Sequence, residues 1–253
     1  MMKKNYFSLL GELTKKGIKL RYRNSYLGII WSLAEPIFTT IVLVIVFGTL
    51  FGNKSPTFPL YTIIGRLLYG FFSEGTKTAS KSIRANAAMI KKVYVPLILY
   101  PMSAVLYSFV IFLISLSVLV GVDIYCGVVP TVQVLMIFPA LLILLLLTFG
   151  IGLILSTLMV FFRDIEYLWK VALMIIMYVS AIFYYPESIL SSKYGFILTY
   201  NPLFQIIRMC RAAVLSEPFN VLGILYATGF ALVSVLLGLL FFNSNKEKFI
   251  LHL

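Results

Sequence analysis

The sequence predicts an all-α polytopic membrane protein with six transmembrane helices. An N-terminal amphipathic interface helix precedes them, a re-entrant external helical hairpin comes before the last span, and both termini are cytoplasmic. Three observations carry this. The 253 residues are 61% hydrophobic and 12% charged, with a mean hydropathy of +1.00, which leaves too little polar surface for a soluble globule. The apolar residues gather into runs long enough for the ~30 Å hydrocarbon layer. The basic residues sit between those runs, so a formal charge of +12 reads as membrane orientation rather than nucleic-acid binding. Residues 1–253 form one domain: an interface helix at 1–25, a bundle at 29–242 and a cytoplasmic tail at 243–253.

Residues 1–25 do not read as a cleavable signal peptide, because charges run along the whole segment instead of preceding an apolar core. On a helical wheel Tyr6, Phe7, Leu9, Leu10, Leu13 and Leu20 share one face, opposite Glu12, Lys15, Lys16, Lys19 and Arg23. Such a helix lies in the membrane interface with its lysines toward anionic headgroups. Arg21 falls on the apolar side and must snorkel. Tyr22, Tyr26 and Trp31 form an aromatic shoulder at headgroup level. Gly11 and Gly17 each weaken an isolated helix by about 1 kcal/mol, so lipid or a partner supplies its stability. The alternative is a basic orientation signal with no other role.

Six apolar spans follow at 29–51, 59–80, 98–120, 132–160, 167–185 and 220–242. Pro36 interrupts the first, since proline lacks the N–H for the Ser32 carbonyl. Glu35, Arg66 and Glu74 lie inside spans. A charge at mid-bilayer costs ~2.5–3.5 kcal/mol, so Arg66 and Glu74 face protein or water rather than lipid. The topology passes the charge test. Sixteen Lys and Arg residues lie before span one, in the Lys77–Lys92 stretch, around the turn at Arg163 and Lys170, and after span six. Only Lys54, Lys193, Arg208 and Arg211 lie on the other side, with Arg66 unassigned.

The chemistry the chain lacks narrows its function. It holds no GxxxxGK[ST] phosphate loop, no HExxH, no GxSxG and no paired-cysteine spacing. Cys126 and Cys210 read as isolated small hydrophobes and His252 as a solvated tail residue. The nine acids are scattered, with Glu35, Glu74 and the Arg163–Asp164 pair as the main candidates for buried acid–base work. A non-catalytic role fits better than an enzyme.

Two loops stand out. Ser82–Pro96 is basic and helix-prone through Ala85–Met89, and stops at Pro96. It reads either as a solvated loop or as a short helix docking onto a cytoplasmic partner. In the second case Arg84, Asn86, Lys91 and Lys92 form a polar, mainly basic rim around Met89, Ile90 and Val93. Tyr184–Pro218 is too long and apolar for an ordinary loop, yet is broken by Pro186, Gly195 and Pro202. Two short helices, Ile189–Ile197 and Pro202–Leu215, dipping into the outer leaflet fit it. Asn201 caps the second, with Pro202 in its first turn. Tyr184 and Tyr185 would narrow a pathway, and Arg208 and Arg211 would reach headgroups or anionic groups of a polymer. A cover lying on the membrane surface is the alternative.

A resemblance arises from the order of these stretches. They are RYRNSYLGIIWSLAEP (Arg21–Pro36), IRANAAMIKKVYVP (Ile83–Pro96), FRDI (Phe162–Ile165), Tyr184–Pro186 and YNPLFQIIRMCR (Tyr200–Arg211). Together they resemble the membrane subunits of ABC-2 type exporters, in particular those for O-antigen, capsular polysaccharide or teichoic acid. Tyr69 stands where related chains often carry a tryptophan. The resemblance implies a homodimer in the cytoplasmic membrane of a prokaryote. A separate ATPase subunit would hold ATP and Mg, with no cofactor in this chain, and a lipid-linked polysaccharide would be the substrate. It further implies that the loop after span two couples to the ATPase and that spans one and five line an aromatic channel. Trp31, Glu35, Phe38, Tyr178, Phe183, Tyr184 and Tyr185 are the residues placed to do so. Aromatic faces stack on sugars without demanding one hydrogen-bond register, while aromatic interface belts are the competing explanation. The alternatives are a drug or small-lipid exporter of the same family, or a membrane-embedded transferase of lipid-linked sugars.

Overall fold

The structure is a computed structural model and describes residues 3–22, 28–50, 55–93, 95–129 and 131–249. Every element found among them is helical. The long ones are α1 (Lys3–Tyr22), α2 (Gly28–Leu50), α3 (Phe58–Ala85), α5 (Leu99–Cys126), α6 (Ile137–Phe161), α7 (Ile165–Val179), α10 (Pro202–Leu215) and α11 (Val221–Asn245). Single turns form α4 (Ala87–Ile90), α8 (Glu187–Leu190) and α9 (Gly195–Thr199). A 3-10 turn, Val132–Met136, leads into α6. Among the described residues three stretches are long and apolar enough to cross a membrane: Leu99–Cys126, Val132–Phe161 and Val221–Lys248. α2 contains a shorter apolar stretch, Leu33–Phe47, and runs as one helix across Pro36.

α3 sits at the centre because one side of it is apolar throughout. Leu60, Ile63, Ile64, Leu67, Leu68, Phe71 and Phe72 are all buried, against α5 and α6. Small residues then bring backbones together, the usual device where lipid gives no hydrophobic drive between helices. A Cβ on Gly75 of α3 would lie 2.6 Å from Thr148 of α6, and one on Gly238 of α11 would lie 2.7 Å from the Gly150 carbonyl oxygen. Buried hydroxyls on these faces spend their protons within their own helix, as Thr76 does on Phe72 O, Ser108 on Ala104 O and Thr148 on Leu144 O.

α1 lies across the start of α5. Its Leu10 and Leu13 are buried against Val95, Leu99 and Tyr100, whereas Phe7 (83%) and Leu20 (55%) stay exposed. The expected amphipathic helix is present, and part of its apolar face is covered by protein.

Five boundaries differ by more than a turn from those the sequence predicts, the first being α5, which runs to Cys126 rather than 120. α3 continues to Ala85, and only one turn of helix, α4, follows the break at Asn86. α7 ends at Val179 rather than 185, because Ala181 takes a left-handed backbone (φ 47°) and its neighbours' carbonyls are claimed by side chains. The segment expected as one helix over Ile189–Ile197 is two single turns, α8 and α9, wedged together at Gly195. A Cβ there would lie 2.6 Å from the Leu190 carbonyl oxygen. The stretch expected as a tail is partly core. Phe249 is fully buried, with its ring 5.3 Å from Phe242 and 5.9 Å from Phe161. His252 lies outside the described residues.

Candidate functional site

Charges inside apolar helices must find partners, and α3 supplies most of them. Arg66, Glu74, Lys77 and Lys81 are spaced by whole turns, so they form one stripe along it. Arg66 Nη2 donates to Glu35 Oε1 of α2 at 3.1 Å, and Arg21 Nη1 of α1 donates to Glu74 Oε1 at 2.6 Å. Arg66 and Glu74 therefore face protein as expected, and each is paired with a different helix. Between the two pairs lies a cavity of about 280 Å³, walled also by Lys77, Tyr69 and the serines 73, 108 and 115.

The same helix holds α7 by polar contacts in antiparallel register. Lys81 Nζ donates to Glu166 at 2.7 Å, Trp169 Nε1 to Thr76 Oγ1 at 3.0 Å, and Tyr69 OH to Leu173 O at 2.9 Å. Glu166 lies before the apolar run that starts at Tyr167. Hydrogen bonds from Lys81 and Lys170 hold its carboxyl below the usual glutamate range. Only Leu173 of α7 is buried. Tyr167, Val171, Met174 and Tyr178 form an exposed stripe on the other side.

Where α7 breaks, side chains satisfy the carbonyls that lose helical partners. Ser180 Oγ donates to Ile176 O at 2.6 Å, Tyr184 OH to Tyr178 O at 2.7 Å, and Asn201 Nδ2 to Val179 O at 3.2 Å. Arg211 Nη1 donates to Ala181 O at 3.0 Å, its Nη2 to Ile182 O at 3.2 Å and its Nε to Tyr61 O at 3.1 Å. Asn201 also caps α10 as expected, its Oδ1 accepting from the Leu203 and Phe204 N–H groups at 3.0 and 3.3 Å.

Arg211 is thus not a headgroup-facing cation. It is 3% exposed and engaged on backbone, since a buried guanidinium without a carboxylate must find other acceptors. Arg208 is half-buried, with no ion pair among the described residues.

The aromatic residues divide in two. Trp31 (59%) and Phe38 (60%), a helical repeat apart on α2, are exposed, as is Tyr178 (55%) on α7. Phe183 corrects the expectation. It is buried in the segment past the end of α7, stacked on Phe47 of α2 with centroids 5.3 Å apart. Tyr184 is half-buried, and Tyr185 leans on Tyr61 with ring centroids 4.6 Å apart.

The basic loop is also divided. Met89 and Ile90 are half-buried against α1 and the start of α5, so they are not free docking contacts. Arg84 Nη1 reaches Met159 O at 3.4 Å, and Asn86 Nδ2 donates to Ser82 O at 2.7 Å. Lys91, Lys92 and Val93 remain exposed. On α1, Lys19 is exposed and Lys15 pairs with Glu12 at 3.0 Å. Tyr22 closes the helix, and Arg23 lies outside the described residues. Among the described residues no three His, Cys, Asp or Glu side chains gather as metal ligands would.

Sequence reasoning missed Tyr61, Thr76 and the break at Ser180–Ala181. No Gly or Pro marks that break, and an aromatic in an apolar run carries no sign of what its hydroxyl reaches.

The sequence pattern of the ABC-2 type transporter family matches residues 8–215. The O-antigen export system permease protein RfbA of Klebsiella pneumoniae is 33% identical over 246 residues, covering 96% of this chain and 94% of its own. A protein of the same description from Myxococcus xanthus is 27% identical, over 82% of this chain and 80% of its own. The polysialic acid transport protein KpsM of Escherichia coli is 23% identical, over 91% and 90%.

Proposed function

The chain belongs to the ABC-2 type transporter family, and from that premise we propose that it is the permease subunit of a polysaccharide exporter. In this reading it moves a lipid-linked polysaccharide of O-antigen or capsular type across the cytoplasmic membrane. The apolar runs of α2, α3, α5, α6, α7 (from Tyr167 on) and α11 are the six spans, with both termini inside by the distribution of Lys and Arg. The residues from Pro186 to Leu215 stand on the outer side.

The observation that carries this reading is the exposure of aromatic side chains on both α2 and α7. Trp31, Phe38 and Tyr178 are open to whatever passes, and Phe47 of α2 stacks on Phe183, four residues past the end of α7. Two such sets, brought together in a homodimer, would make a lining over which sugar rings slide. The chain performs no chemistry. ATP and Mg belong to a separate ATPase subunit, docked just after α4 where Lys91, Lys92 and Val93 are exposed.

Reconstitution tests it. Purified with its ATPase partner in proteoliposomes, the wild type should move lipid-linked polymer on ATP addition. Trp31→Ala with Tyr178→Ala should lose transport while the complex stays assembled, and Lys91→Glu with Lys92→Glu should lose the complex. Hydrolysis by the isolated chain, or transport of small amphiphiles but no polymer, would overturn the reading.

A further inference from the structure

A second cavity, of about 550 Å³, is lined by residues of α1, α3 and α5. Its wall holds Lys16 and Arg21 from α1 and Lys81 from α3, and no acidic side chain. Arg21 is paired with Glu74 and Lys81 with Glu166, while Lys16 has no ion-pair partner among the described residues. The unpaired Lys16 of α1 therefore faces Lys81 of α3, whose charge is shared with Glu166, across open space. Beside hydrocarbon, screening by water is weak, and the repulsion is best relieved by an anion held between them.

The remaining wall is chemically specific. Tyr100 is 1% exposed, and its hydroxyl is buried without a hydrogen-bond partner, a costly arrangement if permanent. Ser82 and Ser103 already spend their protons on Ala79 O and Tyr100 O at 2.7 and 2.9 Å, so their oxygens are left as acceptors. Leu20, 55% exposed, continues the cavity as apolar surface. Gly17 lets α1 rest on Tyr107, where a Cβ would lie 2.7 Å from the ring. That contact sets the spacing of α1 from α5 beside the cavity.

We propose that this cavity binds one anionic phospholipid. Its phosphate lies between Lys16 and Lys81, with Tyr100 as the neutral donor. Headgroup hydroxyls meet the spare lone pairs of Ser82 and Ser103, and the acyl chains leave past Leu20. The lipid cements the interface helix to the bundle. None of this depends on what cargo the protein carries.

The test uses the full-length chain in nanodiscs of phosphatidylcholine doped with phosphatidylglycerol, with retained lipid read by native mass spectrometry. Phosphatidylglycerol should be retained over phosphatidylcholine, and Lys16→Gln should lower that preference about fivefold, as should Lys81→Gln. Tyr100→Phe should lower it as well. Glu166→Gln breaks the Lys81 ion pair but keeps the cation, so it should retain the lipid and separate lipid binding from folding. Equal retention of the two lipids, unchanged retention in the double lysine variant, or full displacement by millimolar inorganic phosphate would overturn the proposal. The last result would mark a free-anion site instead. Failed polymer export with lipid retention intact would count against the proposed cargo alone.

Discussion

Arg211 lies with its guanidinium carbon 3.3 Å from the ring centre of Tyr61, and the Tyr61 hydroxyl in turn reaches Tyr184 O at 3.1 Å. One cation thus ties α10 to α3 and to the broken end of α7. Every contact it makes is to a carbonyl or a ring, so its strength comes from geometry that only arginine supplies.

Arg211→Met should therefore destabilise the protein by roughly 2–4 kcal/mol, because three buried carbonyls lose a charged donor. Arg211→Lys should recover only part of this, having one point charge for three divergent acceptors. Chemical unfolding in detergent measures it, and a change under about 0.5 kcal/mol in Arg211→Met, the size of an ordinary surface substitution, would contradict this role.

The crossed pairs make a charge-exchange prediction. Arg66→Glu places two acids together and should lower both expression and thermal midpoint. Adding Glu35→Arg should restore them, since the pair at 3.1 Å is only reversed. If the double variant is as poor as the single one, Arg66 and Glu35 do not interact in the membrane.

Acid should loosen the Lys81 end of α7. Glu166 has its carboxyl held below the ordinary value of 4.5 by Lys81 and Lys170. A depressed carboxylate stabilises the fold above its unfolded value, and that contribution disappears as pH falls through the lower folded value. Amide-exchange protection over Trp169–Leu173, corrected for the intrinsic rate, should therefore fall off below pH 4.5, and in Glu166→Gln it should be lower already at neutral pH. A flat profile in the wild type would refute the tether.

Close backbone approach predicts a steric failure. Gly150→Leu drives a side chain into Ser234 and Val235 of α11, an overpacking that costs typically about 1–3 kcal/mol. Gly229→Leu, on the same helix as Ser234 but with nothing within 4 Å, should be near neutral. Similar melting of the two variants would mean that α6 and α11 are not in contact as described.

Much of the architecture was legible because it depends on local rules. Asn201 before Pro202 marked the start of α10, and its side chain caps that helix as the residue types require. The long apolar runs at α5, α6 and α11 appeared as single helices, since apolar length and the absence of breakers suffice to define them. The basic stretch after α3 was visible too. That Met89 and Ile90 turn inward onto Leu10 and Leu13 was not, because the covering helix lies some eighty residues away in sequence.

By itself, then, the sequence determined the helical class, the apolar lengths, the Asn201 cap and the placing of most cations between the apolar runs, all of which follow from composition and from spacing within one segment. Tertiary structure decided which of those segments meet. It paired Arg66 with Glu35 and Arg21 with Glu74, buried Phe183, and turned Arg211 inward onto Ala181 and Ile182. Helical periodicity assigns each residue to a face, but it says nothing of which helix lies opposite that face or at what height. A charge confined among apolar helices takes whichever acceptor the packing of neighbouring backbones brings within about 3 Å.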